Sequence, residues 1–245
     1  MRSQADRNTI INNMQDPFSI EDLLSPDEVK ELVAIFNSQN NKIHKNTGPV
    51  TSDITEGFAT IPVLQRLFER IKARIGECRI YTSFFFKVEV PHIIHNDDDK
   101  LGPIVYKGIT VPLELEYEAQ PVLPHLCFFD QYYLEGPSKF FGNSTKRDIP
   151  AYYNAHVYEY SQVQNLSTKD FPQDIYLKYL THCQPFWLKG LSFNSAHEWR
   201  PGNGIVFDCV RLHCASDFKV KKIKSKLGLA IFTALNEDAV GEPAP

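Results

Sequence analysis

The sequence has no apolar run long enough to span a bilayer, no internal repeat, no low-complexity tract and no CxxC pair. Each absence excludes something. Without a long apolar segment there is no candidate transmembrane helix, and the polar start MRSQADRNTIINNMQD has no apolar core of signal-peptide length, so a soluble cytoplasmic protein is the expectation. The five cysteines (Cys78, Cys127, Cys183, Cys209, Cys214) are odd in number and widely spaced. They read as reduced, mostly buried thiols rather than a disulfide frame or a zinc knuckle. A net charge of -4 provides no general basic surface and argues against a nucleic-acid partner.

What is present is a chain of 245 residues, 42% hydrophobic and 23% charged, enough to bury a substantial core. Residues 1–16 are polar and are expected to be a flexible terminus, with residues 17–240 forming one domain. SPDEVKELVAIF carries a helix start: Ser25 as cap, Pro26 at the first helical position and Glu28 completing a capping box. In IPVLQRLFERIKARIG, Leu64, Leu67, Phe68, Ile71 and Ile75 share a helical face that Gly76 ends. Beyond Gly76 the chain turns to β-branched and aromatic runs separated by turn residues, interrupted by one helical stretch around KDFPQDIYLKYLTHC. The expected fold is mainly β with flanking helices: a barrel or sandwich with the N-terminal helices packed outside. The irregular segment between Asp130 and Thr168 has the length and composition of a lid.

The chemistry-bearing stretch is PHIIHNDDDK. In an extended strand, residues i and i+2 share a face, so His95 and Asp97 can converge on one ion. A second imidazole would complete two histidines and one carboxylate, the set that leaves open positions on Fe(II). Such a triplet alone is common. Its weight comes from RPGNGIVFDCVRLHC, a glycine turn and strand ending at His213, 116 positions after Asp97, followed by lysines that enter a last apolar strand. His92, three residues before His95, has no carboxylate at i+2; Asp98 and Asp99 read as a solvated turn. His125, His156, His182 and His197 read as packed or surface imidazoles. Tyr81, Ser83, Phe85 and Lys87 share one strand face, as do Phe129, Gln131 and Tyr133, and one of these rows is expected to line the pocket. Tyr81 and Gln131 are its candidate polar contacts. Arg200 is a candidate pocket charge, whereas Trp199 reads as structural.

In the order of these elements from Arg79 to Asn236, the chain resembles the Fe(II)/2-oxoglutarate-dependent dioxygenase superfamily, nearest its phytanoyl-CoA and prolyl hydroxylase-like branches. The resemblance implies a double-stranded β-helix (jelly-roll) core with iron held by His95, Asp97 and His213. It also implies that Lys226, with Lys224 as the alternative, pairs the far carboxylate of 2-oxoglutarate. Many relatives carry an arginine there, which grips a carboxylate with two parallel hydrogen bonds where lysine acts as a point charge. The implied reaction is O2-dependent hydroxylation of a C–H bond in a small molecule, with decarboxylation of 2-oxoglutarate to succinate. Retention of Asp97 favours hydroxylation, desaturation or demethylation over halogenation, since halogenating relatives have a small residue there. Two other readings stay open: a cupin-type metalloenzyme that does not use 2-oxoglutarate, and a non-catalytic jelly-roll binding module.

Overall fold

The structure is a computed structural model and describes residues 3–44, 49–98, 105–118, 122–136, 138–139 and 163–235. Helix α1 (Gln4–Asn12) and strand β1 (Phe18–Ile20) precede helix α2 (Pro26–Ser38). Strands β2 (Ile43–His44) and β3 (Val50–Asp53) lead to helices α3 (Gly57–Thr60) and α4 (Pro62–Ile75). Then follow β4 (Arg79–Val88), β5 (His95–Asn96), β6 (Val105–Tyr117), β7 (His125–Tyr132) and β8 (Ser138–Lys139). After helix α5 (Gln173–Tyr179) the chain closes with β9 (Phe193–Glu198), β10 (Gly204–Asp208), β11 (Arg211–Ala215) and β12 (Ile223–Ala234).

These strands form two antiparallel sheets, a seven-stranded sheet in the order β1-β10-β6-β12-β4-β3-β2 and a five-stranded sheet in the order β8-β5-β11-β7-β9. The architecture is a jelly-roll. Alternation along the strands divides the burial between three layers. On the large sheet, Phe85, Ile109, Val111, Leu113, Leu227, Leu229 and Ile231 pack with Leu32 of α2 and with Leu64, Leu67 and Ile71 of α4. On the small sheet, Cys127, Phe129, Leu212 and Cys214 pack outward, in one cluster with Tyr179 of α5 and Trp187. Their neighbours Leu126 and Phe128 meet Ile205 and Phe207 between the sheets.

The capping box of α2 forms as the sequence suggests: Ser25 accepts from the Glu28 N–H while Glu28 reaches back to the Ser25 N–H. Glu28 then receives Arg70 of α4 at 2.8 and 3.0 Å, which holds its carboxyl down to about 2 and ties the two helices together. Gly76 ends α4 at a φ of 86°, a left-handed conformation suited to glycine.

The N-terminal stretch departs from expectation. Residues 4–12 are helical, with Ile10 buried against Leu134 and Val210. The segment after α1 is strapped to the sandwich by charge. Lys107, almost fully buried, donates to Asp208 at 2.5 Å and to the Asn13 carbonyl at 3.0 Å. The Gln15 N–H donates to the same Asp208, and Arg211 donates to the Gln15 carbonyl. The polar composition of residues 1–16 hides this because the hydrogen-bond partners lie from 94 to 196 positions downstream. No helix among the described residues is long and apolar enough to cross a membrane.

Gly228 of β12 lies where Trp199 and Phe86 close over the sheet; a Cβ there would stand 2.8 Å from Trp199 and 2.9 Å from Phe86. Both are ring atoms in packed positions. Gly228→Ala should therefore destabilise the fold by about 1–3 kcal/mol through overpacking, read as a lowered midpoint in urea unfolding.

Candidate metal centre and cavity

The site is assembled by strand pairing. His95 of β5 is the direct partner of His213 of β11 in the five-stranded sheet. Just past β5, the Asp97 N–H donates to the Cys209 carbonyl at 2.8 Å, which fixes the backbone beyond the histidine. Asn96, pointing the other way, uses its whole amide. It donates to the carbonyls of Tyr133 and Gly136 and accepts from the Ser138 N–H at 2.5 Å. That buried clamp turns His95 and Asp97 to the same side. Asn96 was not singled out from sequence; the signal was a polar residue between two inward ligands, which needs its own partners on the opposite face.

Around this point the ring centroids of His95 and His213 are 4.3 Å apart. Asp97 places Oδ2 3.2 Å from His213 Nε2 and Oδ1 3.6 Å from His95 Nε2. One donor atom from each of the three residues falls within 4.8 Å of the others, so the trio could hold a metal ion. Each histidine has its Nδ1 against a carbonyl two residues back: Ile93 for His95 at 2.7 Å and Arg211 for His213 at 3.0 Å. Only a protonated Nδ1 satisfies a carbonyl, so Nε2 is the nitrogen of each ring that faces the cluster and would be the one to bind a metal. Burial pushes the Asp97 carboxyl up, but the imidazoles of His213, His95 and His92 outweigh it and hold the group down to about 2.

The cluster opens into a cavity of about 130 Å³ whose walls include Phe84, Phe86, Val88, Leu126, Trp199 and Phe232. Lys226 enters the same cavity. Its side chain is almost fully buried, with Nζ 3.9 Å from the Trp199 ring centroid and 4.9 Å from that of Phe218. Burial lowers its pKa to about 7. The aromatic faces favour the charged form but supply no hydrogen-bond acceptor. No carboxylate partner of Lys226 is found among the described residues, and Trp199 Nε1, buried in the same wall, has no hydrogen-bond partner there.

The structure places several of the other candidate residues away from the cavity. Lys224 is half-exposed and pairs with Glu116 at 3.7 Å, outside the cavity. The β12–β6 register shifts between Ile223 and Ser225, and this bulge breaks the alternation that would have placed Lys224 and Lys226 on one face. Neither strand row expected to line the pocket does so, because Phe85 packs toward the helices and Phe129 toward the α5 side. The lining comes from Phe84, Phe86 and Val88 instead. Tyr81 sits where the β12–β4 register shifts, since Phe232 pairs with Thr82 and Thr233 with Ile80, and it does not line the cavity.

Gln131 is buried, but both ends of its amide hold loops: Nε2 donates to the Asn165 carbonyl and Oε1 accepts from the Ser192 N–H. Arg200 is exposed and pairs with Glu198 at 2.7 Å beside a separate surface depression. Trp199, taken from sequence as structural, is a cavity wall. Asp98 is 3% exposed, not part of a solvated turn, and His92 lines the cavity with its ring 4.3 Å from that of His95. Asp99 and most of the segment assigned as a lid lie outside the described residues.

Fold and site together define a jelly-roll with two histidines and a carboxylate at the mouth of one sheet. No protein-family model and no curated protein matches the sequence. Solved structures match the fold. The non-heme alpha ketoglutarate dependent epimerase SnoN from nogalamycin biosynthesis is 13% identical with a TM-score of 0.50, the match covering 94% of this chain and 83% of that one. SnoN also matches as its complex with Fe3+, alpha ketoglutarate and nogalamycin RO. The alpha ketoglutarate dependent carbocyclase SnoK from the same biosynthesis is 12% identical with a TM-score of 0.51, covering 100% of this chain and 92% of that one. The chain thus has the fold on which these non-heme enzymes are built.

Replacement of His95, Asp97 or His213 by alanine should weaken binding of a divalent metal at this cluster at least about 100-fold, because each supplies one of only three donors. Anaerobic titration with Fe(II), followed by calorimetry, measures this directly, with unfolding curves to show that the variants remain folded.

Proposed function

We propose that this chain is an Fe(II)- and 2-oxoglutarate-dependent oxygenase that oxidises a small organic molecule, with hydroxylation of a C–H bond as its outcome. The observation that supports this most strongly is the buried Lys226 in the same apolar cavity as the His95–Asp97–His213 cluster. A cation without a carboxylate partner, beside an indole N–H without an acceptor, is a site made for an anionic group. The donor set suits the metal as well: two imidazoles that turn Nε2 to the cluster and one carboxylate make the facial set characteristic of non-haem Fe(II). The folds of SnoN and SnoK agree with this reading.

Each residue has a task. His95, His213 and Asp97 would hold iron, and Lys226 would pair the far carboxylate of 2-oxoglutarate with Trp199 closing over it. Phe84, Phe86, Leu126 and Phe232 exclude water and present an apolar wall to the substrate, which points to an apolar or mixed small molecule. When bound, iron and 2-oxoglutarate supply the O2-dependent oxidation, with succinate and CO2 as co-products. The protein's contribution is to position the substrate's C–H bond and to keep other groups away from it. A cupin-type enzyme that does without 2-oxoglutarate would leave Lys226 buried with no ligand to compensate it.

Purified protein supplied with Fe(II), 2-oxoglutarate and O2 should release succinate, and Asp97→Ala should abolish that release; undiminished succinate from the variant would overturn the reading. Lys226→Met should raise the Kd for 2-oxoglutarate roughly 10- to 100-fold, the loss of a hydrogen bond to a charged group.

The pH dependence has a definite sign. The dianion binds the charged lysine, whose pKa in the empty cavity is about 7. Below that value Lys226 is already charged; above it, binding must take up a proton. Affinity for 2-oxoglutarate should therefore be level below pH ~7 and fall roughly tenfold per pH unit above it. Calorimetry in buffers of different ionisation enthalpy reads the proton uptake. Lys226→Arg, with a permanently charged guanidinium, should flatten the profile.

A further inference from the structure

On the opposite face of β11 from the candidate iron ligands lies a second cluster of metal-binding side chains. His213 points into the cavity; Cys214, the next residue, points outward into the apolar cluster around Tyr179 and Trp187. There it meets His182 and Cys183 of the turn that follows α5. One donor atom from each of His182, Cys183 and Cys214 lies within 4.8 Å of the others, and Cys183 Sγ is 3.5 Å from His182 Nε2. The thiols of Cys183 and Cys214 are in hydrogen-bond contact.

We propose that His182, Cys183 and Cys214 form a structural zinc site that fastens the turn after α5 to the back of β11. The spacing fits this ion. Tetrahedral zinc with Zn–S near ~2.3 Å and Zn–N near ~2.0 Å sets edges of roughly 3.5–3.8 Å between its ligand atoms. The 3.5 Å separation of Cys183 and His182 already has that length. The turn is held in place by bonds of its own. The Cys183 N–H donates to the Leu180 carbonyl at 2.8 Å, Thr181 Oγ1 donates to Asp217 at 2.7 Å, and the Asp217 N–H donates to the Tyr179 carbonyl at 2.6 Å. The donors are therefore arranged before any ion arrives.

Charge balance suits the surroundings. Binding displaces one proton from each thiol, so Zn2+ with two thiolates and a neutral imidazole carries no net charge and can sit in an apolar cluster. Cys127, buried and directly opposite Cys214 on β7, is a third thiol beside the site and a candidate fourth ligand; water is the other. Soft sulfur donors select zinc here, whereas the nitrogen and oxygen donors across the strand suit iron. The proposal does not depend on the oxygenase reading.

The test uses the full chain, purified without chelator and then loaded with Co2+ in place of zinc. Thiolate ligation should give intense sulfur-to-cobalt charge-transfer bands, which the His95–Asp97–His213 cluster, having no sulfur, cannot produce. Asp97→Ala should keep these bands; Cys183→Ser and Cys214→Ser should lose them. His182→Ala, at a half-exposed position where folding is least at risk, should weaken zinc competition for the cobalt site at least about tenfold. As-purified protein should carry zinc in a ratio near one per chain by elemental analysis. Absence of the charge-transfer bands in the folded wild-type chain would overturn the proposal. So would formation of a Cys183–Cys214 disulfide by dilute hydrogen peroxide at the same rate with and without saturating Zn2+, since zinc-bound thiolates are protected.

Discussion

The pairing of β5 with β11 is the contact on which the functional reading depends. It is short, a two-residue strand against a five-residue one, yet it sets His95 opposite His213 across more than a hundred residues of chain. Because side chains alternate strictly along a strand, a slip of one residue in this pairing would turn His95 outward and bring Asn96 to face the cavity. Two local devices guard the register. The Asp97 N–H is bound to the Cys209 carbonyl, and the Asn96 amide is satisfied only on the outer side. The His95–Asp97–His213 cluster is in this sense a by-product of correct sheet assembly.

The same alternation explains which parts of the site were legible in the sequence. His95 and Asp97 share a face because they are two apart, and His213 follows a glycine turn and a strand; both are short-range facts that survive folding. The α2 capping box and the glycine end of α4 were legible for the same reason. What could not be read was which face of a strand is the inner one. Phe84, Phe85 and Phe86 are chemically alike in sequence, and only the packing of α2 and α4 on the outside of the large sheet sends Phe85 one way and its neighbours the other. The expectation that Lys224 and Lys226 share a face failed for a different reason. A bulge inserts one extra residue between strand partners and leaves no mark in composition. That Trp199 walls the cavity was not legible because Lys226, its neighbour there, is distant in sequence and adjacent in space.

Burying Lys226 is costly, and the structure offsets the cost in part with aromatic faces instead of a carboxylate. A protein carboxylate would stabilise the lysine better but would occupy the position an anionic ligand needs. Elsewhere the chain does supply the carboxylate: Lys107, equally buried, has Asp208. The contrast between the two buried lysines, one paired and one not, sets a structural cation apart from the one to which the proposed function gives a ligand.

The paired lysine has a consequence for how the chain comes to be made. The segment after α1 is held by Lys107, Asp208 and Arg211, so it completes its contacts only after strands made well downstream of it. Until β10 and β11 have emerged, Gln15 lacks its bonds to Asp208 and Arg211. His95 of β5 likewise has no His213 opposite it until β11 has emerged. Vectorial synthesis therefore completes the strap of residues 13–16 and the His95–Asp97–His213 cluster together, once β11 has emerged, and a nascent chain stalled before β11 would have neither in full.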